Sequence, residues 1–174
     1  VPIYLVRIHE MGTGEAGTYL ALTLGVGGAV GIYLGGRIAD HLGKKYGEHW
    51  LAWLVAIVGM ISVPFMLLCF FAETAESAIL AYAIPAFLGT IYVACGFALI
   101  QNYTPLEMRS VCAAINLFIL NIIGLGLGPF TIGLLSDLFE PSMGQDSLRY
   151  GLLATLVAIV LGCWYYYRTG VLIL

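Results

Sequence analysis

The chain has 174 residues, of which 61% are apolar and 10% charged, with a net charge of -3. Soluble domains carry about 25% charged residues, so a mean hydropathy of +0.97 excludes a water-facing globule and a disordered tail. The acidic balance, with a pI near 5.5, excludes a nucleic-acid binder, which needs a basic footprint for phosphates. The expected class is an all-α integral membrane protein.

Crossing a hydrocarbon core takes about 20 consecutive apolar residues. Residues 1–9 are expected to be the last turns of a spanning helix, and the chain one portion of a longer polypeptide. Complete spans are expected at 17–36, 50–71, 78–100, 110–136 and 150–167, none containing Asp, Glu, Lys or Arg. These runs are too long and too continuous for barrel strands. Lysine and arginine set orientation. Arg37, Lys44, Lys45, Arg109 and Arg168 fall on one side and only Arg7 and Arg149 on the other. The first side, with the C-terminus, is therefore expected to be cytoplasmic, and the acids Glu10, Glu15, Glu73, Glu76, Asp137, Glu140 and Asp146 lie opposite.

In the 17–36 span, Gly27, Gly31 and Gly35 recur every four residues, with Gly28 beside them, and form a stripe for close helix approach. A nucleotide-binding loop would need a strand before these glycines and a helix beginning at them; here they lie inside a continuous apolar run. In the 78–100 span, Phe87, Thr90, Ala94, Phe97 and Gln101 share a face that either lines a cavity or forms a helix–helix seam. Thr90 and Tyr92 are candidate cavity residues, as are Tyr4 and Arg7 in the first piece. The 110–136 span carries Asn116 and Asn121, whose amides either bond a neighbouring helix or face a ligand. It also holds Gly124, Gly128 and Pro129, where packing and a bend are expected. The last span ends in Trp164, Tyr165, Tyr166, Tyr167 and Arg168, an interfacial belt on a helix expected to face lipid, with Leu156 on its lipid side. Cys69, Cys95, Cys112 and Cys163 each lie inside a long apolar run without metal or disulfide spacing, and the histidines show no metal-binding pattern. No metal site, cofactor or catalytic constellation is expected.

The loop Gly36-Arg37-Ile38-Ala39-Asp40-His41-Leu42-Gly43-Lys44-Lys45 resembles the G-x-x-x-D-[RK]-x-G-[RK]-[RK] signature of the major facilitator superfamily, with His41 in place of a basic residue. Six spans and a cytoplasmic C-terminus match that superfamily's second half, helices 7 to 12. The stretches from Tyr4 to Glu15, Leu22 to Gly36, Asn121 to Pro129 and Gly133 to Asp137 are similar to its Spinster branch. The resemblance implies the C-terminal half of a secondary transporter in a bacterial inner membrane. It would be paired with a missing N-terminal half and move a lysolipid or other amphipathic small molecule. Any proton coupling would reside in the missing half. It also implies a cytoplasmic gate motif at Gly36, Asp40, Gly43, Lys44 and Lys45. A channel would need a polar or carbonyl-lined pore, which the sequence does not show. A non-transporting membrane subunit is the other alternative.

Overall fold

A computed structural model describes residues 2–144 and 147–174; Val1 and the acid Asp146 lie outside the described residues. Every regular element among the described residues is helical. These are α1 (Pro2–Ile8), α2 (Thr13–Tyr46), α3 (His49–Phe70), α4 (Ala75–Asn102), a short 3-10 turn (Leu106–Met108), α5 (Arg109–Ile119), α6 (Gly128–Met143) and α7 (Ser147–Ile173). Residues Leu120–Leu127 join α5 to α6 as a π-helix. Five of the resulting rods are long and apolar enough to cross a membrane: α2, α3, α4, the Leu106–Met143 rod and α7. The chain is an all-α membrane-type bundle.

Most rods extend beyond the apolar run that predicts them, because the residues flanking each run are not helix breakers. α2 is the clearest case. It continues for ten residues past Gly36 and carries Arg37, Asp40, Gly43, Lys44 and Lys45 inside the helix. It stops at Gly47, whose φ of 98° is a conformation that favours glycine. The Gly47 N–H closes the helix onto the Gly43 carbonyl at 3.2 Å. The segment 36–45, read from the motif as a loop, is helical, Gly43 included. α4 begins at a reciprocal cap: the Thr74 side chain accepts from the Ser77 N–H, and Ser77 Oγ accepts from the Thr74 N–H, satisfying two otherwise orphaned donors.

α4 is central, packed on α2 and α3, while α7 packs on α3 and α6. Two buried clusters hold the bundle together. One joins Tyr4 and Leu5 of α1 to Leu20, Phe70, Ile79, Leu152 and Leu156. The other joins Ala39, Leu51, Val55, Val58, Ile91, Cys95 and Leu99. Lipid is as apolar as these side chains, so close approach and dispersion govern the packing. Glycines mark the contacts. A Cβ at Gly31 would overlap Thr90 Oγ1 and stand 2.9 Å from the Phe87 carbonyl oxygen; at Gly35 it would stand 3.0 Å from Ile91 Cα. At Gly151 it would stand 2.9 Å from the Ile132 carbonyl oxygen, beside the buried Ser136 and Ser147 hydroxyls, 3.2 Å apart.

Three expectations about packing are corrected here. Gly27 meets nothing within 4 Å, whereas Gly28 lies on the contact, 3.7 Å from Thr90 Cγ2. The stripe is therefore Gly28, Gly31 and Gly35, since a turn of 3.6 residues leaves Gly27 on the flank. A Cβ at Gly124 would meet nothing within 4 Å, and at Gly128 only the Ile123 carbonyl of its own rod, so neither packs on another helix among the described residues; Pro129 begins α6 on an exposed stretch. Leu156 is 7% exposed and belongs to the core. α7 presents other residues outward, Val157 and Leu161 among them.

Candidate functional site

Of the two roles open to the Phe87–Thr90–Ala94 face of α4, the structure shows the helix–helix seam, against α2. Phe87, Thr90 and Ala94 meet the glycine stripe, and Thr90 Oγ1 donates to the Phe87 carbonyl at 2.7 Å. Thr90 is thus a packing residue whose hydroxyl is satisfied within its own helix. Tyr4 is likewise not on an open wall. It is 1% exposed, and its hydroxyl donates to the Phe70 carbonyl at 2.9 Å. His9 Nε2 lies 3.3 Å from the Tyr4 hydroxyl oxygen. Arg7 reaches Glu140 at 3.8 Å, both side chains well exposed, so the pair contributes little to stability.

Tyr92 borders a cavity. Between α3, α4 and α7 lies a crevice of about 400 Å³, bounded by Val58, Gly59, Ser62, Gly89, Gly162 and Tyr166 among others, with no charged residue in its wall. Tyr92 and Tyr166 meet edge to face, with ring centroids 5.8 Å apart. Both rings also border a narrow cleft of about 30 Å³ that contains Asn116. Sequence reasoning missed Tyr166, because its place in an aromatic run suggested the belt alone. Asn121 is exposed, and its Nδ2 donates to the Leu117 carbonyl of its own rod at 2.7 Å. In the most apolar 18-residue stretch of the Leu106–Met143 rod, no residue is buried. Its exposed amide and glycines form a wall that no helix among the described residues covers.

At the Lys-rich end, Asp40, Gly43, Lys44 and Glu48 border an open cleft of about 310 Å³, closed at the back by Leu51 and Ala98. Asp40 is exposed and has no ion-pair partner among the described residues. Arg37 lies over the Tyr33 ring at 5.3 Å and Lys45 over Tyr46 at 5.0 Å, so neither is engaged with Asp40. Gly36 has open space at its Cβ position, and Gly43 stands 3.2 Å from Leu51 Cδ1 by the same measure. Around this end Trp50 packs on Trp53, Trp53 on Tyr167 and Tyr167 on Trp164. The belt read from α7 is therefore shared with the start of α3. Among the described residues no group of three or more His, Cys, Asp or Glu could hold a metal ion.

Five membrane-length rods around glycine contacts, with no charge deep in any of them, define a multi-pass membrane protein. Over 160 residues, 92% of its length, the chain is 32% identical to an MFS-type efflux pump of Mycolicibacterium smegmatis. It spans 37% of that relative's length. No family model matches the chain, and no solved structure matches it.

Proposed function

We propose that this chain is the C-terminal half-bundle of a major facilitator superfamily transporter of the Spinster-like branch, working by alternating access. The uncovered wall of the Leu106–Met143 rod carries the reading. Exposed apolar side chains need no partner in lipid, but a carboxamide there is costly. Asn121 at an exposed helical position therefore faces protein or water, and a second half across an aqueous cavity supplies both. The similarity to an efflux pump supports export as the direction, and the 37% coverage of that pump supports a second half encoded beside this one. The substrate in this reading is a lysolipid or similar amphipathic molecule. Proton coupling, if the full protein uses it, falls to the missing half, since no span here carries an ionisable Asp, Glu, Lys or Arg at depth.

The half-bundle sits in a bacterial inner membrane with its C-terminus in the cytoplasm. The aromatic belt then lies at the cytoplasmic interface beside Lys44, Lys45 and Arg168. Asp40 contacts the missing half when the cytoplasmic side is closed. The test uses cysteine at Asn121 in a full-length background without native cysteines, labelled by a membrane-impermeant maleimide from either side. Substrate-dependent labelling is expected; a cysteine inert from both sides in every condition rejects the cavity wall.

A further inference from the structure

We infer that the π-helical run Leu120–Leu127 is a register switch, converting between π and α windings and thereby turning α5 about the rod axis while α6 stays in place. The backbone ladder shows where the winding changes. The Leu120 N–H still reaches the Asn116 carbonyl, four residues back, whereas the Gly128 N–H closes on the Ile123 carbonyl, five back. Near the first joint Asn121 Nδ2 donates to the Leu117 carbonyl at 2.7 Å, so a side chain serves the ladder where its partners shift. π-Helix accounts for under about 1% of residues and is mostly confined to single turns, often at functional sites. A run of eight residues therefore calls for a cause, and packing is not it: all eight are exposed among the described residues. No neighbour among them locks either winding, and Gly124 and Gly126 weaken the preference for α.

The two ends of the rod are held differently, which gives the switch a moving part. α6 is fixed on α7, where a Cβ at Gly151 would stand 2.9 Å from the Ile132 carbonyl oxygen and the Ser136 and Ser147 hydroxyls lie 3.2 Å apart. α5 has no buried residue and meets α4 beside a cleft of only about 30 Å³, bordered by Asn116, Val93, Tyr92 and Tyr166. A ladder closing five residues back holds more residues per turn than one closing four back. Returning the run to α winding thus advances α5 by roughly one position, or about 100° at 3.6 residues per turn. Asn116 borders the cleft in the π form and turns out of it in the α form, without any bend in the rod. The switch rests on the transporter reading only for its use, which is to re-aim the wall between access states; the two windings do not.

Electron–electron resonance between spin labels separates the windings. Labels go on cysteines at Val111 of α5 and Leu161 of α7, both exposed, in full-length protein without native cysteines, held in lipid nanodiscs. A second pair, Leu138 of α6 with Leu161, reports the fixed end. Both pairs lie within this half-bundle, so rocking against the other half moves neither. We expect two distances for Val111/Leu161 and one for Leu138/Leu161. Deleting Ile123 removes the surplus residue, so the run becomes α without turning α5; the first pair should collapse to one of its two distances and the second stay unchanged. Gly124→Ala with Gly126→Ala should shift the two populations toward the other distance. A Cβ meets nothing within 4 Å at Gly124 and only the Asn121 carbonyl of its own rod at Gly126. This alanine pair decides the matter if the deletion does not fold. A single Val111/Leu161 distance in wild type and alanine variant alike means a fixed winding and overturns the proposal. So does a folded deletion variant whose distance matches neither wild-type value, as an ordinary helix would give. Two distances without saturable flux keep the switch and lose the transporter reading; saturable flux with one distance does the reverse.

Discussion

Replacing Gly31 by alanine in the full-length protein probes the closest approach in the bundle. The new Cβ would overlap Thr90 Oγ1 and stand 2.9 Å from the Phe87 carbonyl oxygen, where ordinary contact begins at 3.4 Å. The hydroxyl can rotate away at the loss of its 2.7 Å bond to Phe87; the carbonyl belongs to a helical backbone and cannot. α2 and α4 must then part locally by about half an ångström, the kind of overpacking that costs about 1–3 kcal/mol. Alanine recovers up to about 1 kcal/mol of helix propensity, so a net loss of about 0–2 kcal/mol is expected. Gly27→Ala has the same propensity gain and no collision, because nothing lies within 4 Å of its Cβ position. The two variants should therefore differ by about 1–3 kcal/mol in reversible unfolding in mixed micelles. Gly31→Leu should abolish folding or transport. Adding Thr90→Ala to Gly31→Ala should recover part of the loss and leave the carbonyl contribution. Equal stability of Gly27→Ala and Gly31→Ala would refute the close-contact argument.

Asp40→Asn should leave expression intact, slow transport and shift the full protein toward its inward-open state. A partly buried contact with a helix N-terminus is worth up to about 2 kcal/mol, so cytoplasmic labelling of a cysteine at Asn121 should rise by as much as ~30-fold, and an unchanged rate would leave Asp40 a solvated acid. Leu156→Trp should destabilise the bundle, because Leu156 is packed in the core, while Val157→Trp, one position on and 61% exposed, should melt like wild type.

Hydropathy made the rods legible, since each has an uninterrupted apolar run and no other sequence feature competes with it. Their ends were not. Gly43 read as part of a loop because the motif lies in one, yet a glycine with helical neighbours stays helical at about 1 kcal/mol; the positive φ that stops α2 comes four residues later, at Gly47. The Thr74–Ser77 cap was readable from its spacing and was missed. Face assignments fared worst. Period four selected Gly27, while the α2–α4 crossing selects Gly28, and only three-dimensional packing distinguishes two positions one residue apart. Thr90 and Tyr4 were sought as cavity groups because they are polar in apolar segments. Both instead satisfy their hydroxyls on nearby carbonyls, the cheapest resolution for a polar group in a span. Tyr166 carried no signal that set it apart from its aromatic neighbours.

This half-bundle, joined to its partner half, is proposed to move an amphipathic molecule by alternating access. Counterflow in proteoliposomes is the test. Vesicles holding the purified full-length protein are loaded with unlabelled lysophospholipid, diluted into a trace of the labelled compound, and followed for transient accumulation. Alternating access gives a saturable overshoot that Asp40→Asn slows. Linear, non-saturable equilibration equal to that of protein-free vesicles, in a preparation shown to be folded, would contradict it.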